Sequence, residues 1–346
     1  MLEALAAQRA RLKGTGKDEV VPVSMLRFDP SSSSWLRVDL TSSSTSPPDL
    51  LAPPPLPSTL KLLTLNIMKE SLDLSLRMNA LLRLVEREQP HVIALQENMV
   101  GHYDLLKQSA FLRERGYFLS GLEGQEKGFK VSLLSRFPFA SLRLVDACGR
   151  PALIGLVPFS SPPSSSSQGI TYLTFASVHL TSGNNATKRA QQIRFLHDLL
   201  LLRTTSLSSF FFRSSASSSH ADDDREEGEE GARRLAACFM MGDFNSCQPS
   251  EDDASVASDG FRDLWLERNS NRAIEDEEDE DGDGWTRRGV RERLDRITLY
   301  EHKEEQRWRV EKIKLVAKEE VAGAKQYPYI SDHLGLCATL CQQQTK

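Results

Sequence analysis

The stretch CFMMGDFNSC, residues 238–247, decides how this chain is read. Cys238 to Met241 is an apolar run of strand length, and Gly242 offers a sharp turn at its end. Asp243 and Asn245 then stand two positions apart at the rim, with the bulky Phe244 between them. Asp and Asn often bond their own backbone at strand ends, so an Asx turn would account for the pair taken alone.

Other apolar runs end the same way. KLLTLNI (61–67) carries Asn66 near its end, HVIALQE (91–97) ends on Glu97, and ITYLTFASVHL (170–180) holds His179. RERLDRITLY (291–300) contains Asp295, and Ser331-Asp332-His333 precede LGLCATL (334–340). Between the first two runs, LSLRMNALLRLVEREQP has helical spacing, with Leu76, Ala80 and Leu84 on one face and Pro90 as the stop. ATKRAQQIRFLHDLLLL (186–202) reads as a second amphipathic helix, and WRVEKIKLVA (308–317) as a further strand. KVSLLSRFP (130–138) and PALIGLVPF (151–159) read as strands paired with each other. The elements predict a single α/β domain of mixed strands.

Length and composition set the outer bounds. The chain has 346 residues, 39% of them hydrophobic, enough for a sizeable core, and no apolar run of membrane-spanning length. Residues 1–57, with SSSS, TSSSTS and PPP, predict a poorly ordered Ser/Pro-rich arm with some strand between Val20 and Leu40. Residues 58–346 form the predicted catalytic domain, with low-complexity inserts near 160–168, 204–232 and 270–284. The N-terminal stretch MLEALAAQRARLKG lacks an apolar signal core, and the five scattered cysteines form no CxxC pair. Both features suit an intracellular protein of the nucleus or cytoplasm, not a secreted one. The net charge of −5 conceals two acidic runs, DDDREEGEE and EDEEDEDGD. Setting them aside leaves 42 basic and 33 acidic residues, a body able to attract polyanions. Asp279-x-Asp281-x-Asp283-Gly284 imitates half a calcium loop, but Val290 stands where its last carboxylate belongs.

A set of Asn, Asp and Glu oxygens with two histidines suits Mg²⁺, a hard cation held by one or two carboxylates plus substrate phosphate. Zinc clusters, a P-loop and a GxSxG elbow are missing from the sequence. Metal-assisted phosphodiester hydrolysis needs what remains.

In order and at compatible spacing, LTLNI, IALQEN, SVHL, MGDFN, RLDRI and ISDHLGL resemble the endonuclease/exonuclease/phosphatase superfamily across about residues 60–341. HLTSGNNATKRAQQI, the arginine of RLDRI and GWTRR are most similar to its 5′-tyrosyl-DNA phosphodiesterases. The resemblance implies a four-layer α/β sandwich, two packed mixed β-sheets flanked by helices, with the site at one edge. It implies hydrolysis of a 5′-phosphotyrosyl or related DNA end, with Mg²⁺ or Mn²⁺ as cofactor, nucleic acid as partner and no membrane. By the same resemblance, Glu97 is the principal metal ligand, with Asn66 and Asp332 beside the metal. Asp243 activates water, Asn245 positions it, His333 stabilises the phosphate, and Asp295 buttresses a histidine. His179 with Thr181, Ser182 and Gly183 meets the phosphate or DNA end, and Trp285 flanks a base or leaving group. Where the tyrosyl-DNA enzymes carry an Asp after the first motif, this chain has Met68, with Glu70 nearby. An RNA deadenylase, an abasic endonuclease or a lipid phosphodiesterase would keep the same core set. An inactive scaffold would instead lose part of it.

Overall fold

The computed structural model describes residues 20–38, 40, 53–123, 125, 130–160, 170–202, 234–247, 249–269, 284–301 and 308–343. The expected inserts, the calcium-loop imitation and the N-terminal charged stretch lie wholly or almost wholly outside the described residues.

Among the described residues, fifteen strands form two sheets. The first contains β1 (Val21–Pro22), β8 (Ser141–Asp146), β9 (Pro151–Ser160), β10 (Ile170–His179), β11 (Arg234–Asp243), β13 (Asp295–Glu301) and β12 (Arg262–Asp263), in that spatial order. The second runs β14 (Trp308–Val316), β15 (Gly335–Gln342), β4 (Thr59–Asn66), β5 (Val92–Gln96), β7 (Val131–Ser135), β6 (Phe118–Ser120), β2 (Met25–Asp29) and β3 (Ser34–Val38). Each is mixed through one parallel pair, β10 with β11 in the first and β4 with β5 in the second.

Alternation along the central strands makes the layers. Leu60 and Leu62 of β4 meet Phe175, Phe239, Met241 and Ile297 in the core between the sheets, where the Phe175 and Phe239 rings stack at 5.3 Å. Leu63 and Leu65 point the other way, onto Met78, Leu81, Leu84 and Val85 of helix α1 (Leu74–Glu88). Cys238 and Met240 likewise face Ile193, Leu196 and Leu200 of helix α4 (Ala186–Leu202). Helices α2 (Val100–Gln108) and α3 (Ala110–Glu114) join α1, and α5 (Pro249–Val256) joins α4, while α6 (Leu264–Asn269) packs across β13 and β14 with Leu264 and Trp265 in the core between the sheets. A strand buried on both faces lets each sheet serve two cores, which yields the expected four-layer α/β sandwich.

Two features differ from the sequence reading. The runs 130–138 and 151–159 do not pair with each other: β7 joins β5 and β6, whereas β9 joins β8 and β10 in the opposite sheet. Both runs are almost wholly buried, so neither shows the alternation that reveals a partner. The stretch Val20–Leu40 supplies three strands that reach both sheets, β1 pairing with β8 and β2 with β6. Met25 and Val23 there are fully buried.

Two histidines behind the sheets make the fold sensitive to acid. His102 and His197 are 1% and 0% exposed, and burial lowers each imidazole to about 4. The unfolded chain therefore binds protons that the folded chain refuses between about pH 6.5 and 4. Stability falls as pH drops through that window, by roughly 3 kcal/mol for each histidine. Urea unfolding at a series of pH values should show the loss, and His197→Gln should flatten it; an unchanged slope would refute the assignment.

Candidate active site

Topology alone brings the polar strand ends together. The parallel pairs β4–β5 and β10–β11 sit side by side in their sheets and finish at a common edge, with Asn66 in register with Gln96 and His179 with Asp243. β13 runs antiparallel to β11 and so begins there, placing Asp295 opposite Asp243. β15 runs antiparallel to β4, and His333 lies just before its start. Gln96 Nε2 donates across the gap to Ser177 Oγ at 3.2 Å, tying the two sheets directly beneath the site.

Gly242 acts differently from the expected turn. β11 continues through it to Asp243, with φ at 150°, and an added Cβ would lie 2.0 Å from the Val178 carbonyl oxygen of β10. Glycine is needed because the neighbouring backbone comes so close. The bend comes at Asn245, whose φ is 51°. Phe244 anchors that bend from the outer core, and Asp243 Oδ1 accepts the Asn245 amide at 2.8 Å. The Asx interaction and a place at the shared edge of the sheets therefore coexist.

Asp243 is the hub. Its Oδ2 accepts from Asn66 Nδ2 at 3.0 Å and faces His179 Nε2 at 3.5 Å and His333 Nε2 at 3.8 Å. Asn66 Nδ2 also reaches Glu97 Oε1 at 3.4 Å, and His179 Nε2 lies 4.0 Å from the same oxygen. Glu97 Oε2 accepts the Lys69 amide at 2.9 Å. Glu97, at φ 60°, and Met68, at φ 56°, hold the left-handed backbone that non-glycine residues seldom adopt. Such strain gathers at sites where geometry outranks stability.

The two imidazoles are driven apart in charge. Burial outweighs Asp243 and Glu97 at His179 and lowers its pKa, leaving it neutral. Burial also acts against the charged form of His333, but Asp295 and Asp243 override it and lift the imidazole to about 10. Asp295 Oδ2 bonds His333 Nδ1 at 2.8 Å, and burial pushes that carboxyl up to about 6. A neutral and a charged imidazole thus flank one carboxylate, the kind of divergence that assigns acid and base roles.

The fold and this constellation meet their counterpart in sequence. The profile of the Endonuclease/Exonuclease/phosphatase family matches residues 63–333. The chain belongs to that family. Solved structures share the fold. D. rerio TDP2 complexed with single strand DNA product has a TM-score of 0.55 at 20% identity, covering 82% of this chain and 99% of that one. C. elegans TDP2 has a TM-score of 0.54 at 18% identity, covering 82% and 75%. An endonuclease/exonuclease/phosphatase from Bacteroides vulgatus has a TM-score of 0.53 at 15% identity, covering 83% and 100%. No curated protein sequence matches the chain.

Of the residues singled out in sequence, Asn66, Glu97, His179, Asp243, Asn245, Asp295 and His333 come together at this family-type edge. Asn66 presents its amide nitrogen to both carboxylates, because its Oδ1 accepts the Met68 amide at 3.0 Å. Asp332 stands apart: it accepts from Ser331 Oγ at 3.3 Å, and Arg288 N donates to its carbonyl. Met68 is 7% exposed and packed inward, while Glu70 is exposed. Thr181 is held by Gln192, which accepts its amide and donates to its hydroxyl, each at 3.0 Å; Ser182 and Gly183 are exposed beyond it. Trp285 is half-buried beneath the Arg291 guanidinium, 4.8 Å from the ring centre. Thr286 escaped sequence reasoning. Its hydroxyl accepts the amides of Leu294 and Asp295 at 2.9 Å and so fixes the carboxylate that charges His333. Its only signal was its place in GWTRR beside Trp285.

Ligand atoms of Asp243, Asp295 and His333 lie within 4.8 Å of one another. His333 Nδ1 is already committed to Asp295, and an imidazole is a poor ligand for a hard cation. Glu97 Oε1, which with Asp243 Oδ2 converges on the Asn66 amide group, offers a hard oxygen of the kind Mg²⁺ takes. The residues fit the metal that the family implies. No helix among the described residues is long and apolar enough to cross a membrane.

Proposed function

We propose that the protein is a Mg²⁺-dependent phosphodiesterase that hydrolyses a 5′-phosphotyrosyl or related DNA end. The observation that carries this reading is the convergence of Glu97, Asp243, His179 and the Asp295–His333 pair at one edge of both sheets. Glu97 would hold the metal, with Asn66 keeping that carboxylate and Asp243 in place. When bound, the cation supplies neutralisation of the charge that develops on the phosphoryl oxygens.

The chain's own groups do the rest. Water attacks phosphorus opposite the tyrosyl oxygen, the bond from phosphorus to that oxygen breaks, and tyrosine leaves with a proton from solvent. Asp243 orients the water through Oδ2 and receives its proton. Asn245, whose Nδ2 donates to the Leu180 carbonyl at 3.0 Å, fixes the loop around that position. His333, kept charged by Asp295, donates from Nε2 to a phosphoryl oxygen, and His179 meets another. The exposed Ser182–Gly183 loop and the Trp285–Arg291 pair are suited to a single strand, the first by its backbone and the second by stacking on bases. The D. rerio TDP2 complex with single strand DNA product supports that choice of polymer.

The test is release of tyrosine from a 5′-phosphotyrosyl single-stranded oligonucleotide in Mg²⁺, beside an abasic duplex, polyadenylate RNA and sphingomyelin. Turnover of the first that leaves a 5′-phosphate is expected, with EDTA abolishing it. Preferential turnover of another substrate would overturn the choice of leaving group while keeping the phosphodiesterase. Silence on all four would point to the missing carboxylate at Met68 and to a binding role.

A further inference from the structure

Arg77 is 1% exposed in the first turns of α1. Among the described residues its guanidinium makes no close ion pair, although Glu70, Asp332 and Asp73 act on it from further off. Nε donates to the Ile330 carbonyl at 2.8 Å, Nη1 to those of Glu70 and Leu72 at 2.7 and 3.1 Å, and Nη2 to those of Ile67 and Met68. A buried cation whose direct partners are all neutral dipoles is costly, and a leucine would serve the helix better if packing were the purpose. A guanidinium carries five N–H donors in a rigid fork, and here five carbonyls receive them.

Those carbonyls belong to two loops. Four follow Asn66 at the end of β4, in the segment whose Met68 amide orients Asn66 and whose Lys69 amide holds Glu97. The fifth is Ile330, three residues before His333. Asp73, one helical turn away, grips the second loop again: its Oδ2 accepts the amides of Lys325, Gln326 and Tyr327 at 3.0, 2.5 and 2.9 Å. The start of α1 therefore clamps both loops with a buried cation and a half-buried anion. No strand pairing does this, because β4 and β15 have already ended their shared register at Thr64 and Leu336.

We propose that Arg77 is a positioning residue that sets the spacing between the Glu97–Asn66 side of the site and the His333 imidazole. It touches neither substrate nor metal. Its guanidinium makes two loops from distant parts of the sequence move as one, so that a phosphoryl group fits between them. The inference rests on the phosphodiesterase reading for its kinetic arm and stands without it for its structural arm.

The experiment compares full-length Arg77→Lys with the wild type and with Arg83→Lys, an exposed position on the same helix. Lysine keeps the charge and loses the fork. Amide hydrogen exchange should quicken together in peptides spanning 66–72 and 325–334 in Arg77→Lys and stay unchanged in Arg83→Lys. On the 5′-phosphotyrosyl oligonucleotide, kcat should fall 10- to 100-fold with KM within about threefold, as displacement by an ångström does. Asp73→Asn, which leaves Arg77 in place, should quicken exchange in 325–334 alone and lower kcat less. This second variant decides the matter if Arg77→Lys does not fold. Quickening confined to 66–72 in Arg77→Lys, or an unchanged kcat with both loops loosened, would overturn the proposal. If the wild type cleaves none of the substrates, the functional reading fails, and the exchange result alone supports or sinks the coupling.

Discussion

Asp243→Asn is expected to lower kcat by about 10³- to 10⁴-fold while leaving the thermal midpoint unchanged or a few degrees higher. The two effects share one cause. Asp243 is 1% exposed, faces two imidazoles and sits opposite the buried carboxyl of Asp295. Concentrating that charge serves the reaction and burdens the fold. Asparagine keeps the Oδ1 acceptor for the Asn245 amide but can neither take a proton from water nor attract a cation. Steady-state rates and a thermal melt on the same preparation check both halves. A variant within tenfold of wild-type activity would remove Asp243 from the chemistry. A collapse of stability would recast it as a structural hub.

The second large effect is on folding. Gly242→Ala should cost about 3–5 kcal/mol, at the high end for a single methyl group, because the group has nowhere to go. The obstacle is the Val178 carbonyl carbon and oxygen, backbone atoms in a strand locked in register with β11. A flexible side chain would yield; the parallel pairing would have to part. Since His179 and Asp243 are the next residues on those strands, activity should fall with stability. Urea denaturation measures it, and a loss under 1 kcal/mol would show that the strands separate easily.

Much of this was legible in the chain. Strand-length apolar runs ending on Asn66, Glu97, His179 and Asp243 gave away the site because a buried parallel strand has one place to put a polar group, its end. The runs 130–138 and 151–159 misled because strands buried on both faces carry no alternation and so no clue to their partners. Gly242 was recognised as special for the wrong reason: a glycine's need for space and its tolerance of turns look the same in one dimension. Thr286 and Arg77 could not be foreseen. Each acts through backbone groups, and backbone groups are the part of a protein that its sequence does not vary.

The strands between Val21 and Val38 carry a consequence for how the protein is made. Met25 pairs with Ser120, and Val21 with Leu144. These strands must therefore wait for their sheet partners until roughly a hundred or more further residues have been added, on the order of 5–20 s at ordinary elongation rates. During that interval MLRFD and SWLRV can pair with each other but with no sheet. The nascent chain thus carries a lone, sticky hairpin, and the polar Ser- and Pro-rich sequence that follows it separates that hairpin from the next apolar run until its proper neighbours exist.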